Sequence, residues 1–172
     1  RFTQDAVAVG SGTVLMDNPL LNCRIPGLNN HPVVRVVFDG RLRTPPTSKL
    51  LATSNEWPVW IVTLAGGDKS RIESMHNVGV KLLEVKPGAD GSPDIFLALS
   101  ALAEQGITRL LVEGGHHLST TLLQANLVDR IVWFRAPIWI GSDGMPASEI
   151  LGVDKLDKAP KFERINVEVI GE

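Results

Sequence analysis

The sequence predicts an α/β fold built around a largely parallel sheet. Three observations point there. Short β-branched runs stop repeatedly at glycine or proline, segments of helical spacing lie between them, and several runs are apolar at every position, as expected of strands covered on both faces. The strand–helix–strand–helix order places helices against both faces of one sheet.

The elements follow in order. Ala6-Val7-Ala8-Val9 is a short strand ending at Gly10-Ser11-Gly12. Val33 to Phe38 is β-branched and stops at Asp39-Gly40. Val59 to Val62 stops before Gly66-Gly67, and Val80 to Val85 ends at Pro87-Gly88. Asp68 to Met75 reads as a helix of one or two turns. Pro93 to Gln105 carries Ile95, Phe96, Leu99, Leu102 and Ala103 at helical spacing, with Gly106 in the stop position. Leu110-Leu111-Val112 is a strand running into Gly114-Gly115. His116 to Ala125 is a helix with Leu118 and Leu122 one turn apart and Asn126 in the left-handed cap position. Ile131 to Phe134 reads as a further strand, and Phe162 to Ile170 alternates apolar and polar residues, the pattern of an antiparallel strand with one solvated face. Two Pro-rich loops, 26–32 and 41–49, are long enough to be functional.

Composition narrows the classes of function. The 172 residues suit one domain, and 44% hydrophobic with 21% charged residues is ordinary for a packed globule. A net charge of −2 argues against nucleic-acid binding, which shows a basic stripe. One cysteine excludes an internal disulfide and a multi-cysteine zinc site, and Cys23 reads as a structural residue. No apolar run approaches the roughly 18 residues of a membrane span. The chain opens at Arg1 without a leader, which reads as a fragment or processed chain and, weakly, as cytoplasmic.

The strongest place for chemistry is Val112-Glu113-Gly114-Gly115 followed by His116-His117-Leu118-Ser119-Thr120-Thr121. A strand runs into two glycines and a helix begins at once, so unpaired N–H groups and the positive end of the helix dipole face the strand's carboxyl end, an arrangement that suits phosphate. A plain tight turn with a solvated Glu113 accounts for the same residues equally well. The second place is Gly10 to Pro19. It is neither a dinucleotide G-x-G-x-x-G, since Leu15 holds the third glycine position, nor a P-loop. Thr13 and Asp17, four apart, share a face on a helical turn and offer a polar patch, or else simply serve a capped turn. Arg1, Arg24, Arg41 and Arg43 are candidate phosphate ligands, because guanidinium meets phosphate bidentately. His116 and His117 are adjacent and diverge on a helix, so no metal is expected there; His31 and His76 are not set in a metal-ligand pattern. The four tryptophans, at 57, 60, 133 and 139, read as core or interface.

Taken together, Gly10-Ser11-Gly12-Thr13-Val14-Leu15, Asp17-Asn18-Pro19-Leu20-Leu21 and Arg24 resemble the G-x-T-V-L-x-D-x-P-x-L-x-x-R signature of the riboflavin-biosynthesis reductases. These form the C-terminal half of a bifunctional pyrimidine deaminase/reductase. Val112 to Gly115, the stretch from Leu122 to Asp129, and Ala136-Pro137 with Gly141 follow in the same order, so the resemblance covers nearly the whole chain. It implies a dihydrofolate-reductase-like three-layer sandwich, with a mostly parallel central sheet and an antiparallel C-terminal strand, making residues 1–172 a single reductase domain. It also implies NADPH-dependent reduction of 5-amino-6-(5-phosphoribosylamino)uracil to the ribitylamino product, by hydride transfer to ribose C1′ through a ring-opened imine. Carried over by position, Thr13, Asp17, Gly40, Gly115, His116, His117, Leu118, Ser119, Thr120 and Thr121 are expected at the cofactor. Arg1, Leu21, Arg24 and Glu113 are expected at the substrate, the arginines on its phosphate. Asp17 or a bound water is the candidate proton donor. The implied partners are the phosphorylated pyrimidine ribosylamine, an upstream deaminase domain and a second copy in a homodimer, with no nucleic acid and no membrane.

The chain departs from the family pattern in three ways. A first strand with a lysine and a Ser-x-Asp-Gly segment, expected before Arg1, is absent from this sequence. Gly40 replaces a serine expected at the cofactor's adenosine end, where Arg41 or Arg43 is left to meet the 2′-phosphate. Asn126 replaces a helix-ending glycine. With one cysteine, the zinc-dependent deaminase chemistry is excluded for this chain. The alternatives are a reductase of another pyrimidine- or pterin-like substrate on the same fold, and a nucleotide-binding module without turnover.

Overall fold

Ala6, Val7, Ala8 and Val9 are fully buried, because strand β1 (Ala6–Gly10) lies inside the sheet with helices on both sides. The computed structural model describes residues 1–27 and 33–171. β1 pairs in parallel with β2 (Val34–Phe38) on one side and β5 (Leu110–Val112) on the other. β3 (Val59–Leu64) and β4 (Lys81–Val85) extend the sheet beyond β2, giving the order β4-β3-β2-β1-β5, parallel throughout.

Two cores make three layers. Helices α1 (Ser11–Asp17), α2 (Lys49–Ala52) and α3 (Lys69–Asn77) cover one face, where Val14, Leu50, Leu51 and Met75 pack on Val7, Val9, Val37 and Ile61. On the other face α4 (Ile95–Glu104) packs Ala98 and Leu102 on Ala6, Ala8, Val36 and Val62, and α5 (His116–Gln124) adds Leu118 and Leu122 beside Ile95. The topology accounts for the division. From β1 to β4 the chain moves steadily to one side, then returns past β1 to β5, and right-handed crossovers put helices on opposite faces when the direction reverses. The reversal makes the carboxyl ends of β1 and β5 the switch point of the sheet, where ligands of open α/β folds gather.

Local chemistry explains the helix ends. Asp68 accepts from the amides of Ser70 and Arg71, and Asp94 accepts from Leu97 N, so both helices are capped at their N-termini. Gly106 (φ 88°) and Asn126 (φ 54°) follow α4 and α5 in the left-handed conformation expected of them. α1 runs for seven residues, longer than the single turn read from sequence, because Val14 is drawn into the core. It stops at left-handed Asn18, whose N–H bonds Val14 O at 3.0 Å, ahead of Pro19. α2 was hidden by the Pro-rich loop; Ser48 caps it and Leu50 and Leu51 bury it.

The C-terminal expectations fail. Neither 131–134 nor 162–170 forms a strand, and the described residues after Leu127 contain only two short 3₁₀ turns, Gly141–Asp143 and Leu156–Lys158. Alternation describes a face; a strand exists only when a neighbour takes up its backbone groups. The outer edge of β5 is three residues long and free, and among the described residues neither stretch pairs with it. Trp133 (70% exposed) and Trp139 (96% exposed) are accordingly not core, while Trp60 is half-buried beneath Lys81, whose Nζ lies 4.4 Å from the ring centroid. His31 and most of the first Pro-rich loop lie outside the described residues.

Candidate active site

The two glycine turns meet at the switch point. A Cβ on Gly115 would lie 3.4 Å from Gly10 N and 3.6 Å from Thr13 Oγ1, and one on Gly114 would lie 3.7 Å from Thr13 Oγ1. Both glycines hold positive φ, 83° and 90°, so the backbone turns sharply from β5 into α5 without side chains in the way. A cleft of about 850 Å³ opens above them. Of the cofactor candidates, Thr13, Asp17, Gly40, Gly115, His116, His117, Leu118, Ser119 and Thr121 line it. Thr120 does not: it is buried, and its hydroxyl donates to His116 O at 2.6 Å.

One wall of the cleft is built by the turn after β2. Buried Asp39 accepts through Oδ2 from Thr44 N (2.7 Å) and Thr44 Oγ1 (2.8 Å), closing the turn and presenting Arg41 and Arg43 to the cleft. Arg43 Nη2 donates to Ser11 Oγ at 2.6 Å, and its Nε lies 3.8 Å from Asp39 Oδ1, which is buried and makes no hydrogen bond. A buried carboxylate needs a nearby cation, so Asp39 and Ser11 together hold the Arg43 guanidinium at the start of α1. Gly40 sits under Pro93: a Cβ there would be 2.8 Å from Pro93 Cδ.

A further stretch of the rim was not foreseen. Asp90, Gly91, Ser92 and Pro93 line the cleft, and the Asp90 carboxyl is held below its usual range chiefly by the backbone N–H of Ser92. The Gly/Pro content of this loop was the available signal. Met145, Pro146 and Ala147 also line the cleft, in a segment tied to α5 by Glu149 N donating to Thr120 Oγ1 at 2.7 Å. Glu149 meets both histidines, 3.3 Å from His116 Nε2 and 3.2 Å from His117 Nδ1, so the adjacent pair converges on one carboxylate after all.

The four substrate candidates form a second cluster, beside Gly114 and outside that cleft. Arg1 holds Glu113 bidentately, Nε donating to Oε1 at 2.7 Å and Nη2 to Oε2, and this raises the Arg1 pKa. Arg1 Nη1 also donates to Asn22 O at 2.7 Å. Leu21 is 4% exposed with φ 55°, so its side chain belongs to the core and only its backbone is offered to a ligand. Arg24 is exposed, with Nε donating to Asn22 Oδ1 at 3.4 Å. The cluster therefore brings Arg1, Glu113, Asn22 and Arg24 together; Arg24 keeps its guanidinium exposed, while Arg1 is engaged by Glu113.

Comparison with known proteins decides the family. A family model described as the RibD C-terminal domain matches residues 1–172. The chain belongs to that family. It is 35% identical over 175 residues to the riboflavin biosynthesis protein RibD of Actinobacillus pleuropneumoniae, covering 100% of this chain and 45% of that protein. It is 32% identical over 181 residues to the 2,5-diamino-6-ribosylamino-4(3H)-pyrimidinone 5′-phosphate reductase of Archaeoglobus fulgidus, covering 100% of this chain and 78% of that protein. The chain thus spans less than half the length of the RibD relative. Among solved structures, Acinetobacter baumannii RibD superposes with a TM-score of 0.74 at 23% identity, over 95% of this chain and 43% of that one. The Thermotoga maritima deaminase/reductase superposes at 0.65 and 23% identity, over 99% and 44%. At these identities the structural likeness speaks for the α/β fold. No helix among the described residues is long and apolar enough to cross a membrane.

Proposed function

We propose that this RibD-family domain reduces 5-amino-6-(5-phosphoribosylamino)uracil to its ribitylamino product, using NADPH, on a dihydrofolate-reductase-like fold. The observation that carries the reading is the meeting of the Gly114-Gly115 turn with Thr13 at the switch point, under a cleft lined by the first turn of α5 and by Arg43. The cleft fits a dinucleotide chemically. Gly115, at φ 90°, brings the turn against Gly10 without a side chain, the free N–H groups of α5 suit a pyrophosphate, and Arg43 stands as a cation for the 2′-phosphate in place of the serine that Gly40 replaces.

When bound, the nicotinamide cofactor supplies the hydride for ribose C1′. The chain's own residues do the rest. Gly115 to Thr121 hold the pyrophosphate, with Thr120 acting through its hydrogen bond to His116 O. Thr13 and Asp17 border the nicotinamide end, and Asp17 or a water beside it delivers the proton. Glu113, oriented by Arg1, receives a polar group of the pyrimidine or ribityl chain, while Arg24 meets the phosphate. The upstream deaminase domain, a homodimer and a cytoplasmic location belong to the same reading.

The test is stopped-flow oxidation of NADPH at 340 nm with the phosphoribosylamino substrate, on this chain and on one extended upstream, beside calorimetric binding of NADPH and NADH. Tighter binding of NADPH than NADH, with oxidation that depends on the phosphorylated substrate, is expected. Tight cofactor binding without oxidation in either chain leaves a nucleotide-binding module instead.

A further inference from the structure

The largest completely buried side chain among the described residues is a cation. Arg35, on the central strand β2, is 0% exposed and lies opposite Val7 of β1 and Val59 of β3. Among the described residues no carboxylate hydrogen-bonds it, and Glu56 acts on it only through space. Its guanidinium is received by neutral oxygens: Nη1 donates to Thr53 Oγ1 (2.8 Å) and Leu20 O (3.1 Å), and Nη2 donates to Trp57 O (2.5 Å) and Thr53 O (3.0 Å). Its Nε makes no hydrogen bond, and the Trp57 ring centroid lies 5.7 Å from Cζ. Burial lowers its pKa to about 10, so it remains charged at neutral pH. A core seeking stability alone would place an apolar residue here, as β2 does at Val36 and Val37.

The four bonds show what the cation does. Three reach the turn after α2, and the fourth reaches across to Leu20 in the loop that follows α1. The next residue, Leu21, holds φ at 55°, a conformation that costs a branched residue energy and persists only where its surroundings enforce it. Two arginines enforce it, since Arg35 holds the carbonyl of residue 20 from the core and Arg1 holds the carbonyl of residue 22 from the site. Arg1 carries Glu113. A continuous path of hydrogen bonds and backbone thus runs from the core cation to the Glu113 carboxylate.

We propose that Arg35 is a positioning residue that fixes the 18–22 loop, with Leu21 left-handed, and so sets the geometry of the substrate side of the site. The proposal rests on the reductase reading for its kinetic part and on the loop alone for its structural part. Arg35→Lys keeps a cation and loses the planar fork that serves several carbonyls. Amide exchange over residues 18–24 is expected to quicken about tenfold relative to wild type while β1 and β3 hold their protection. In turnover, KM for the substrate rises about tenfold with NADPH Kd unchanged, the scale of one charged hydrogen bond. Thr53→Val, which removes one acceptor and leaves the charge, gives the same pattern more weakly and carries the test if Arg35→Lys does not fold. Unchanged exchange in the loop, or an equal rise across β1, β2 and β3, overturns the proposal. A wild-type chain that never oxidises NADPH defeats the reductase reading and leaves the exchange result standing.

Discussion

Gly40→Ser restores the serine that the family resemblance leads one to expect, and the structure makes it destabilising. The added Cβ falls 2.8 Å from Pro93 Cδ, 3.1 Å from Pro93 Cγ and 3.3 Å from Leu64 Cγ. A proline ring cannot rotate away, and the loop around it is tied on both sides, Gly88 N to Ser92 O at 2.8 Å and Asp94 N to Lys86 O at 3.0 Å. The clash is therefore taken up by backbone movement, for which overpacking costs about 1–3 kcal/mol. For a chain of this size that lowers the thermal midpoint by roughly 2–4 °C per kcal/mol. Pro93→Ala removes the offending ring atoms and by itself costs about 0.4–1 kcal/mol through chain entropy. The double variant should recover most of the Gly40→Ser loss, a favourable coupling of at least about 1 kcal/mol in a double-mutant cycle. Urea unfolding at constant slope measures each corner. Additivity within about 0.5 kcal/mol, or a Gly40→Ser variant as stable as wild type, would refute the argument that Pro93 is why this chain carries glycine at 40.

Two further outcomes follow from the geometry. Gly115→Ala forces a side chain into φ 90° and ψ 92° against Gly10 N, and should lose about 1–3 kcal/mol of stability and weaken NADPH binding in calorimetry; unchanged stability would contradict the strained turn. Asp5 joins the starts of β1 and β5, accepting from Thr108 Oγ1, Thr108 N and Arg109 N, each at 2.8 Å, and its pKa falls from 3.8 to about 2, first through the Thr108 hydroxyl. A depressed folded pKa gives stability that is present above the unfolded value and lost as pH falls through the folded one. Asp5→Ala should therefore melt below wild type at pH 7, with the gap narrowing from about pH 4 and closing near pH 2; a constant gap across that range would exclude the ionised carboxylate as its source.

The strands of the parallel sheet, the helix ends at Gly106 and Asn126, and the glycine turns at 10–12 and 114–115 are legible along the chain, because each is written in residues close together in sequence. The cofactor candidates came from the family resemblance; apart from Gly40 they fall in two short runs, and all but Thr120 line the cleft. Pairings across the chain were not. Arg43 meets Ser11 over 32 positions and Arg1 meets Glu113 over 112, and no local pattern says which arginine is solvated and which is held. Nothing in the Val33–Phe38 run singles out Arg35; only the packing of β2 between β1 and β3 puts it in the core, within reach of Leu20. The apolar run at 131–134 and the alternating stretch at 162–170 show the converse. Their patterns are correct for strands, yet a strand needs a neighbour's hydrogen bonds, and neither stretch pairs with β5 or with any other described strand. Local propensity is set by neighbours in sequence, whereas burial, pairing and the placing of charge are set by neighbours in space, and those are chosen only when the sheet assembles.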